Sequence, residues 1–386
     1  NKLSSDLKLG NTLIRADLNV PMDKQVIQDD FRINKAIQHL DEVRGISKSV
    51  TFLSHLGRPS GVDPEYSLKP VAEKMSTLIK EEVIFIDALY GPEVKSKIDM
   101  LPGKIFLLEN LRFHNEEIDN DIIFAEKVTN NFDTFILDSF GASHRNHASI
   151  VSFGKFIESY QGMLMTDEVR NLELLTNSPK KPFTVILGGA KISDKLNLIN
   201  NLLPKVDNLL IGGGMCFTFL KALGLNIGNS LCEDDYLATA LNVLDSQHGN
   251  KIILPTDIGV TKSINSGNRI EKHINELSDD DIGVDISHKT IQQFESLLLN
   301  SNTVFWNGPM GIFENDNFKL GTQLITEIVS NLNAYTVVGG GDSVSAIRTF
   351  SDLSKFNHIS TGGGASLEYL QGNKLPGVNI YKPLIL

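Results

Sequence analysis

Short runs of apolar and β-branched residues alternate along this chain with stretches whose apolar positions recur every three or four residues. The first kind predicts strands at Thr12–Leu18, Val50–Leu53, Val83–Ile86, Ile105–Leu108 and Thr134–Leu137; the second predicts helices over Phe31–Val43, Leu68–Ile79 and Ile122–Val128. Beyond residue 180, strands are expected at Phe183–Leu187, Asn208–Ile211, Lys251–Leu254, Thr303–Trp306 and Tyr335–Val338, with helices between them, including Asp234–Asp245 and Lys319–Leu332. Such alternation gives α/β layers, a parallel sheet with helices on both faces, once in each half. Ligands then bind at the carboxyl ends of the strands. Leu164, Val169, Leu172 and Leu175 have helical spacing and Ser178-Pro179 ends the run, so a rigid connector helix is expected over Met165–Asn177.

Composition narrows the function classes. At 386 residues the chain exceeds one ordinary core, which supports two domains. Lys and Arg number 36 against 47 Asp and Glu, a net charge of −11, which disfavours general binding to nucleic acid or an anionic membrane. No apolar run approaches the roughly 20 residues of a membrane-spanning helix. The two cysteines, Cys216 and Cys232, form no C-x-x-C, and a reduced, cytoplasmic setting is the expectation. Seven of the nine arginines precede residue 171, whereas 22 of the 31 glycines follow it. Arginine suits bidentate contact with carboxylate and phosphate, and glycine turns suit a nucleotide's phosphates, so the halves are expected to hold different ligands.

The glycine-rich half centres on Thr184–Ile199. A strand runs into Gly188-Gly189, and Ser193 or Asp194 is placed to cap a helix carrying Leu196, Ile199 and Leu203. Lys191 and Lys195, four apart, would share the first turn, where two cations oppose the helix dipole unless an anion lies between them. No Walker A motif is present. Glycine triplets recur at Gly212–Gly214, Gly339–Gly341 and Gly362–Gly364, read together as the rim of one nucleotide pocket; none completes Gly-x-Gly-x-x-Gly, which counts against a dinucleotide-dependent dehydrogenase. Asp342 is suited to a Mg²⁺ shared with phosphates, to capping a Ser343–Phe350 helix, or to both. Glu314 is suited to ribose hydroxyls.

In the arginine-rich half, Arg58 (in Ser54-His-Leu-Gly-Arg-Pro59), Arg112 (in Glu109-Asn-Leu-Arg-Phe-His114) and Arg145 (in Gly141-Ala-Ser-His-Arg-Asn-His147) each follow a strand. Arg32 opens a helix, and Asp17 and Asn19 end the first strand. Gathered at one sheet edge, they would form a cup for a small polyanion. His55, His144 and His147 lack metal-ligand spacing and read as hydrogen-bonding or charge contributors.

In order along the chain, Arg15-Ala-Asp-Leu-Asn-Val-Pro21, Ser54–Pro59, Leu108–His114, Gly188-Gly-Ala-Lys191 with Lys195, Trp306-Asn-Gly-Pro-Met-Gly311, Gly339-Gly-Gly-Asp-Ser343 and Ser360-Thr-Gly-Gly-Gly-Ala-Ser366 resemble the phosphoglycerate kinase family. The resemblance implies two doubly wound parallel-sheet (Rossmann-like) α/β domains joined by an interdomain helix. The first would span 1–170, completed by a C-terminal tail over 373–386, and bind phosphoglycerate; the second would span 171–372 and bind nucleotide. The implied reaction is 1,3-bisphosphoglycerate + ADP ⇌ 3-phosphoglycerate + ATP with Mg²⁺, in glycolysis, by a cytoplasmic monomer. Carried over by motif, Asp17, Leu18, Asn19, Arg32, His55, Leu56, Gly57, Arg58, Arg112 and Arg145 would bind phosphoglycerate. Gly189, Lys191, Lys195, Gly213, Asn307, Glu314, Gly339, Gly340, Gly341, Asp342 and Ser343 would bind nucleotide, with Asp342 at the metal. Arg32 and Lys191 would be the catalytic cations, with no general base, and the domains would close about Met165–Asn177. The chain departs from the family pattern at Ser287-His288, where Gly-Pro is usual, and at Ser143, where a small apolar residue is usual.

Overall fold

The structure is a computed structural model and describes residues 7–265 and 267–384. The final two positions of the expected C-terminal tail, Ile385 and Leu386, lie outside the described residues. The chain divides into two compact units, Asn1–Arg170 with Lys374–Leu386, and Asn171–Asn373. Helix Met163–Asn177 contains the first boundary between them.

The first unit holds a seven-stranded sheet. In chain order its strands are β1 (Gly10–Ala16), β2 (Ser47–Leu53), β3 (Val83–Ile86), β4 (Ile105–Leu108), β5 (Thr134–Asp138) and β6 (Glu158–Gln161). Across the sheet they run β6-β5-β1-β2-β4-β3, all parallel, with a short last strand, Lys382–Pro383, against β6. β1 is central, pairing Thr12–Ala16 with Thr134–Asp138 on one side and Asn11–Arg15 with Ser49–Leu53 on the other. β4 is buried at every position, which suits its unbroken Ile-Phe-Leu-Leu. The C-terminal segment is held here by Gly377 N donating to Ser143 O at 2.8 Å and by the edge of Tyr381 on Phe135.

Two elements differ from expectation in a way that bears on the site. The first strand ends at Ala16, not Leu18, because Leu18 N leaves the ladder and donates to Ser54 Oγ at 2.9 Å. Asp17–Asn19 therefore form a loop at the sheet's carboxyl edge. The single helix expected over Phe31–Val43 is two, Phe31–Ile37 and Leu40–Arg44, broken at His39 (φ −112°, ψ 20°).

The second unit repeats the plan with β7 (Phe183–Leu187), β8 (Asn208–Ile211), β9 (Ile252–Ile253), β10 (Thr303–Asn307), β11 (Tyr335–Gly339) and β12 (His358–Ile359). They are parallel in the order β9-β8-β7-β10-β11-β12. Every residue of β7 and β10 is buried. A separate antiparallel sheet of Asp257–Thr261, Ile270–His273 and Ile282–Ile286 was not anticipated. Its strands lack clear alternation: Ile270–His273 is largely exposed and the other two carry Gly259 and Gly283. Among the described residues no helix is long and apolar enough to cross a membrane.

Candidate functional site

Four neighbouring strands of the first sheet, β5, β1, β2 and β4, deliver their carboxyl ends to one edge. Arg145, Asp17 with Asn19, His55 with Arg58, and Arg112 follow these four strands in turn. Parallel pairing is what converts positions scattered over 130 residues into one cluster. Asp17 and Asn19 are tied into it: Arg32 Nη1 lies 3.0 Å from both carboxylate oxygens of Asp17 and 3.3 Å from Asn19 O, and Gly57 N donates to Asn19 Oδ1 at 2.9 Å. Arg112 Nη1 donates to Gly57 O. Arg32 is thus held by a carboxylate here, with its side chain about a third exposed at 32%.

Crowded positive charge sets the electrostatics. Arg112 is pushed down to about 10, first by burial and then by Arg145, Arg15 and Arg58, so it remains a cation at neutral pH. Burial, then Arg15, Arg112, Arg145 and Arg32, hold His55 well below the usual histidine range. His147 is pushed down to about 4 by burial and by Arg112, Arg145 and Arg15; its Nδ1 lies 3.7 Å from Glu117 Oε1, too far to restore the proton. Both rings are neutral at neutral pH, so the expected charge contribution of these histidines is not realised. The arginines alone supply the positive field.

The loops carrying these groups are fastened by buried side chains that sequence reasoning passed over. Asn110 Oδ1 accepts from Leu56 N (3.1 Å) and Arg112 N (3.0 Å), while its Nδ2 donates to Leu56 O (2.8 Å) and Tyr66 O (2.9 Å). One amide with all its bonds made couples the His55 loop to the Arg112 loop. Glu109 Oε1 accepts from Leu68 N at the start of helix Lys69–Ile79. Glu117 and Ser149 form a second buried pair, Ser149 Oγ donating to Glu117 Oε1 at 2.6 Å. A run of polar residues straight after an apolar strand, Glu109-Asn110, was the one available signal. Ser143 buries a hydroxyl that donates to Phe140 O at 2.7 Å, so its departure from the family pattern is satisfied locally.

In the second unit, glycine turns follow four neighbouring strands, β8, β7, β10 and β11. Two of these turns require glycine. Gly213 (φ 64°) would place a Cβ 2.6 Å from Gly189 N, and Gly308 (φ 93°) would place one 2.4 Å from Gly188 O. The bare turns interlock through Gly188 N donating to Asn307 O (2.9 Å) and Gly213 N to Met310 O (3.0 Å). A cleft of about 240 Å³ opens over them, lined by Lys191, Lys195, Asn307, Gly340, Asp342 and Ser343. It adjoins a cavity of about 490 Å³ with apolar walls that include Phe217, Leu231, Ile258, Ile286 and Met310; Gly189, Gly213, Glu314 and Asp342 also line it.

Three local expectations are corrected. The helix after Gly189 begins only at Leu196, with Lys195 at its cap, because Ser193 is drawn away: its N and Oγ both donate to Glu233. Lys191 therefore stands before the helix, exposed, and Lys195 donates to Asn307 Oδ1. Burial lowers the Lys195 pKa, against the raising effect of Asp194 and Asp342. Asp342 does not cap its helix; Gly340 holds that position and Asp342 lies exposed in the first turn of Gly341–Phe350. The third triplet lines neither space, serving instead to start helix Gly364–Leu370, and Gly339 contributes its carbonyl to Asn307 Nδ2 at 2.7 Å.

The Ser287-His288 departure is absorbed by a polar brace. Arg269 Nη2 donates to Ile286 O (3.0 Å) and Ser287 Oγ (3.2 Å), while Glu271 Oε1 meets Arg269 Nη1 (3.0 Å) and His288 Nδ1 (2.5 Å). Asp257 caps the following helix through Lys289 N and Thr290 N. Ile286 and Asp285 thereby keep their places in the cavity wall. Cys216 is buried in that wall and its thiol is pushed up by burial, which makes it unreactive.

Arginines gathered at the edge of one parallel sheet suit a small polyanion, and an apolar cavity continuing into a glycine- and lysine-lined cleft on the other suits a nucleotide. Comparison with known proteins narrows this. The family model described as phosphoglycerate kinase matches residues 4–373. A phosphoglycerate kinase of Dictyoglomus turgidum is 45% identical over 380 residues, covering 97% of this chain and 96% of its own length. One from Pseudothermotoga lettingae is 45% identical over 384 residues with the same coverage. Among solved structures, phosphoglycerate kinase from Coxiella burnetii superposes with a TM-score of 0.88 at 34% identity, covering 98% of this chain and 97% of that one. The chain belongs to the phosphoglycerate kinase family. Its reaction is that family's reversible phosphoryl transfer between 1,3-bisphosphoglycerate and ADP, giving 3-phosphoglycerate and ATP, in glycolysis.

Proposed function

We propose that the first unit binds phosphoglycerate and the second binds ATP or ADP with Mg²⁺. What carries this reading is the matched placement of two unlike donor sets, each at the carboxyl ends of four adjacent parallel strands. Arg32, Arg58, Arg112 and Arg145 hold the acid's phosphate and carboxylate, with Asp17, Asn19, His55 and the Leu18, Leu56 and Gly57 backbone shaping the cup. The apolar cavity takes the base, Glu314 the ribose hydroxyls, and the cleft the phosphates.

Mg²⁺ fits the cleft's donor set. It binds through one or two carboxylates together with substrate phosphates, and the cleft offers the exposed carboxylates of Asp342 and Asp194 beside two lysines. When bound, the ion neutralises charge on the phosphates. Lys191 and Arg32 stabilise the charge spread over the transferring group, and Lys195 holds its place through Asn307. The attacking oxygen is already ionised, so no side chain removes a proton. We further propose a cytoplasmic monomer, consistent with the family's role and the net charge of −11.

Arg58→Ala and Arg145→Ala are expected to weaken 3-phosphoglycerate binding by about tenfold or more, as loss of a charge-assisted hydrogen bond does, with ADP affinity nearly unchanged. Titration calorimetry with each ligand checks this, and an equal loss for both would end the two-site division. In-line transfer needs reacting atoms about 3–3.5 Å apart with water excluded. Closure on binding both ligands is therefore part of the proposal. Small-angle scattering should show the radius of gyration falling in the ternary complex more than with either ligand alone; no change, with binding confirmed, would refute closure.

A further inference from the structure

Arg15 is 1% exposed at the end of β1, and its guanidinium can only donate hydrogen bonds. Nε donates to Ser149 Oγ at 3.0 Å, Nη1 to Ala16 O, and Nη2 lies 2.9 Å from His55 Nδ1. Ser149 has one hydroxyl proton, given to Glu117 Oε1 at 2.6 Å, while Ser149 N donates to Glu117 Oε2 at 2.9 Å. Its hydroxyl lone pair is thus left for Arg15. Glu117 is itself 1% exposed; burial pushes its carboxyl up, against the lowering effects of Arg15 and the two Ser149 bonds. Each bond has one permitted direction, and together they leave His55 Nδ1 no role but acceptor.

We propose that Arg15, braced by Ser149 and Glu117, is a positioning residue that locks His55 in the tautomer protonated at Nε2, presenting a neutral hydrogen-bond donor to an oxygen of phosphoglycerate. The opposite tautomer would set Nδ1–H against the donor of Arg15. A protonated ring would add charge among Arg15, Arg32, Arg112 and Arg145; burial and those four arginines all oppose that proton. The cup gains a donor without gaining repulsion. This rests on placing His55 in the phosphoglycerate cup, but the tautomer is a property of the ligand-free enzyme.

The test is a long-range proton–nitrogen correlation spectrum of the enzyme with ¹⁵N-labelled histidine, recorded without ligand and again with 3-phosphoglycerate. Wild-type His55 should show the Nε2–H pattern and no titration across neutral pH. Arg15→Lys, which loses the donor fork, should show mixed tautomers. Ser149→Ala, the milder change, should shift the same way and raise KM for 3-phosphoglycerate about tenfold, leaving KM for ATP unchanged. An Nδ1–H or protonated ring in the wild type overturns the proposal, as does a wild-type pattern in Ser149→Ala, which stands as the test should Arg15→Lys fail to fold. A locked Nε2–H ring that does not respond to 3-phosphoglycerate supports the lock and removes His55 from the cup.

Discussion

Lys191→Ala is expected to fold normally and to lose roughly 10²–10³ in kcat, with much smaller changes in either KM. Of the two lysines in the cleft, Lys195 is half-buried and committed to Asn307, whereas Lys191 is exposed at the rim, beside the glycine turn after β7. Phosphoryl transfer asks the protein chiefly for positioned charge. Removing one preorganised donor to developing charge costs about 3–4 kcal/mol. Lys191 precedes its helix, so no helix dipole opposes its charge; what equips it is reach from a rigid turn. Lys191 is exposed, so circular dichroism should be unchanged. A folded variant with near wild-type kcat would remove Lys191 from the chemistry.

Much of this was legible in the sequence because parallel α/β sheets are built from buried, unbroken apolar runs. Val83–Ile86, Ile105–Leu108, Phe183–Leu187 and Asn208–Ile211 all appear with the bounds their composition suggests. Such strands end where glycine, arginine or lysine motifs begin, so the two site edges could be read as well. What escaped was governed by tertiary contacts. Ser193 is an acceptable helix cap until Glu233, 40 residues away, takes its hydroxyl. Asp17-Leu18 looks like strand until Ser54 claims Leu18 N. His55 and His147 could contribute charge or hydrogen bonds on sequence alone, until burial first and the neighbouring arginines second keep both rings neutral. Glu117 and Ser149 carry no local signature, since each matters only through Arg15, more than a hundred residues earlier.

The stability of the second unit is expected to fall as pH rises from 5 to 8, and Asp285→Asn to abolish most of that fall. Asp285 is 3% exposed in the cavity wall. Its Oδ2 accepts from Gly321 N at 2.6 Å, at the start of helix Leu320–Ser330, but its Oδ1 has no hydrogen-bond partner. Burial pushes the carboxyl up to about 7, against the lowering effects of the Gly321 bond and Arg269. Between the unfolded value of 3.8 and about 7 the folded state therefore holds the extra proton. Stability is greatest below that window, declines through it, and changes no further above it. From pH 5 to 8 the decline is on the order of 3 kcal/mol. The chain's single tryptophan, Trp306, is fully buried in this same unit, so its emission during urea unfolding reports the transition that matters. Asp138, in the first unit, is also raised by burial to about 7, and comparison of Asp285→Asn with the wild type separates its contribution. Asparagine preserves the acceptor for Gly321 and removes the ionisable group. Its unfolding midpoint should exceed the wild type's at pH 8 and approach it at pH 5. A wild-type pH slope in Asp285→Asn would mean that another group carries the dependence. A flattened slope with unchanged nucleotide affinity would identify the carboxyl as a brace for the cavity wall whose charge the fold tolerates rather than uses.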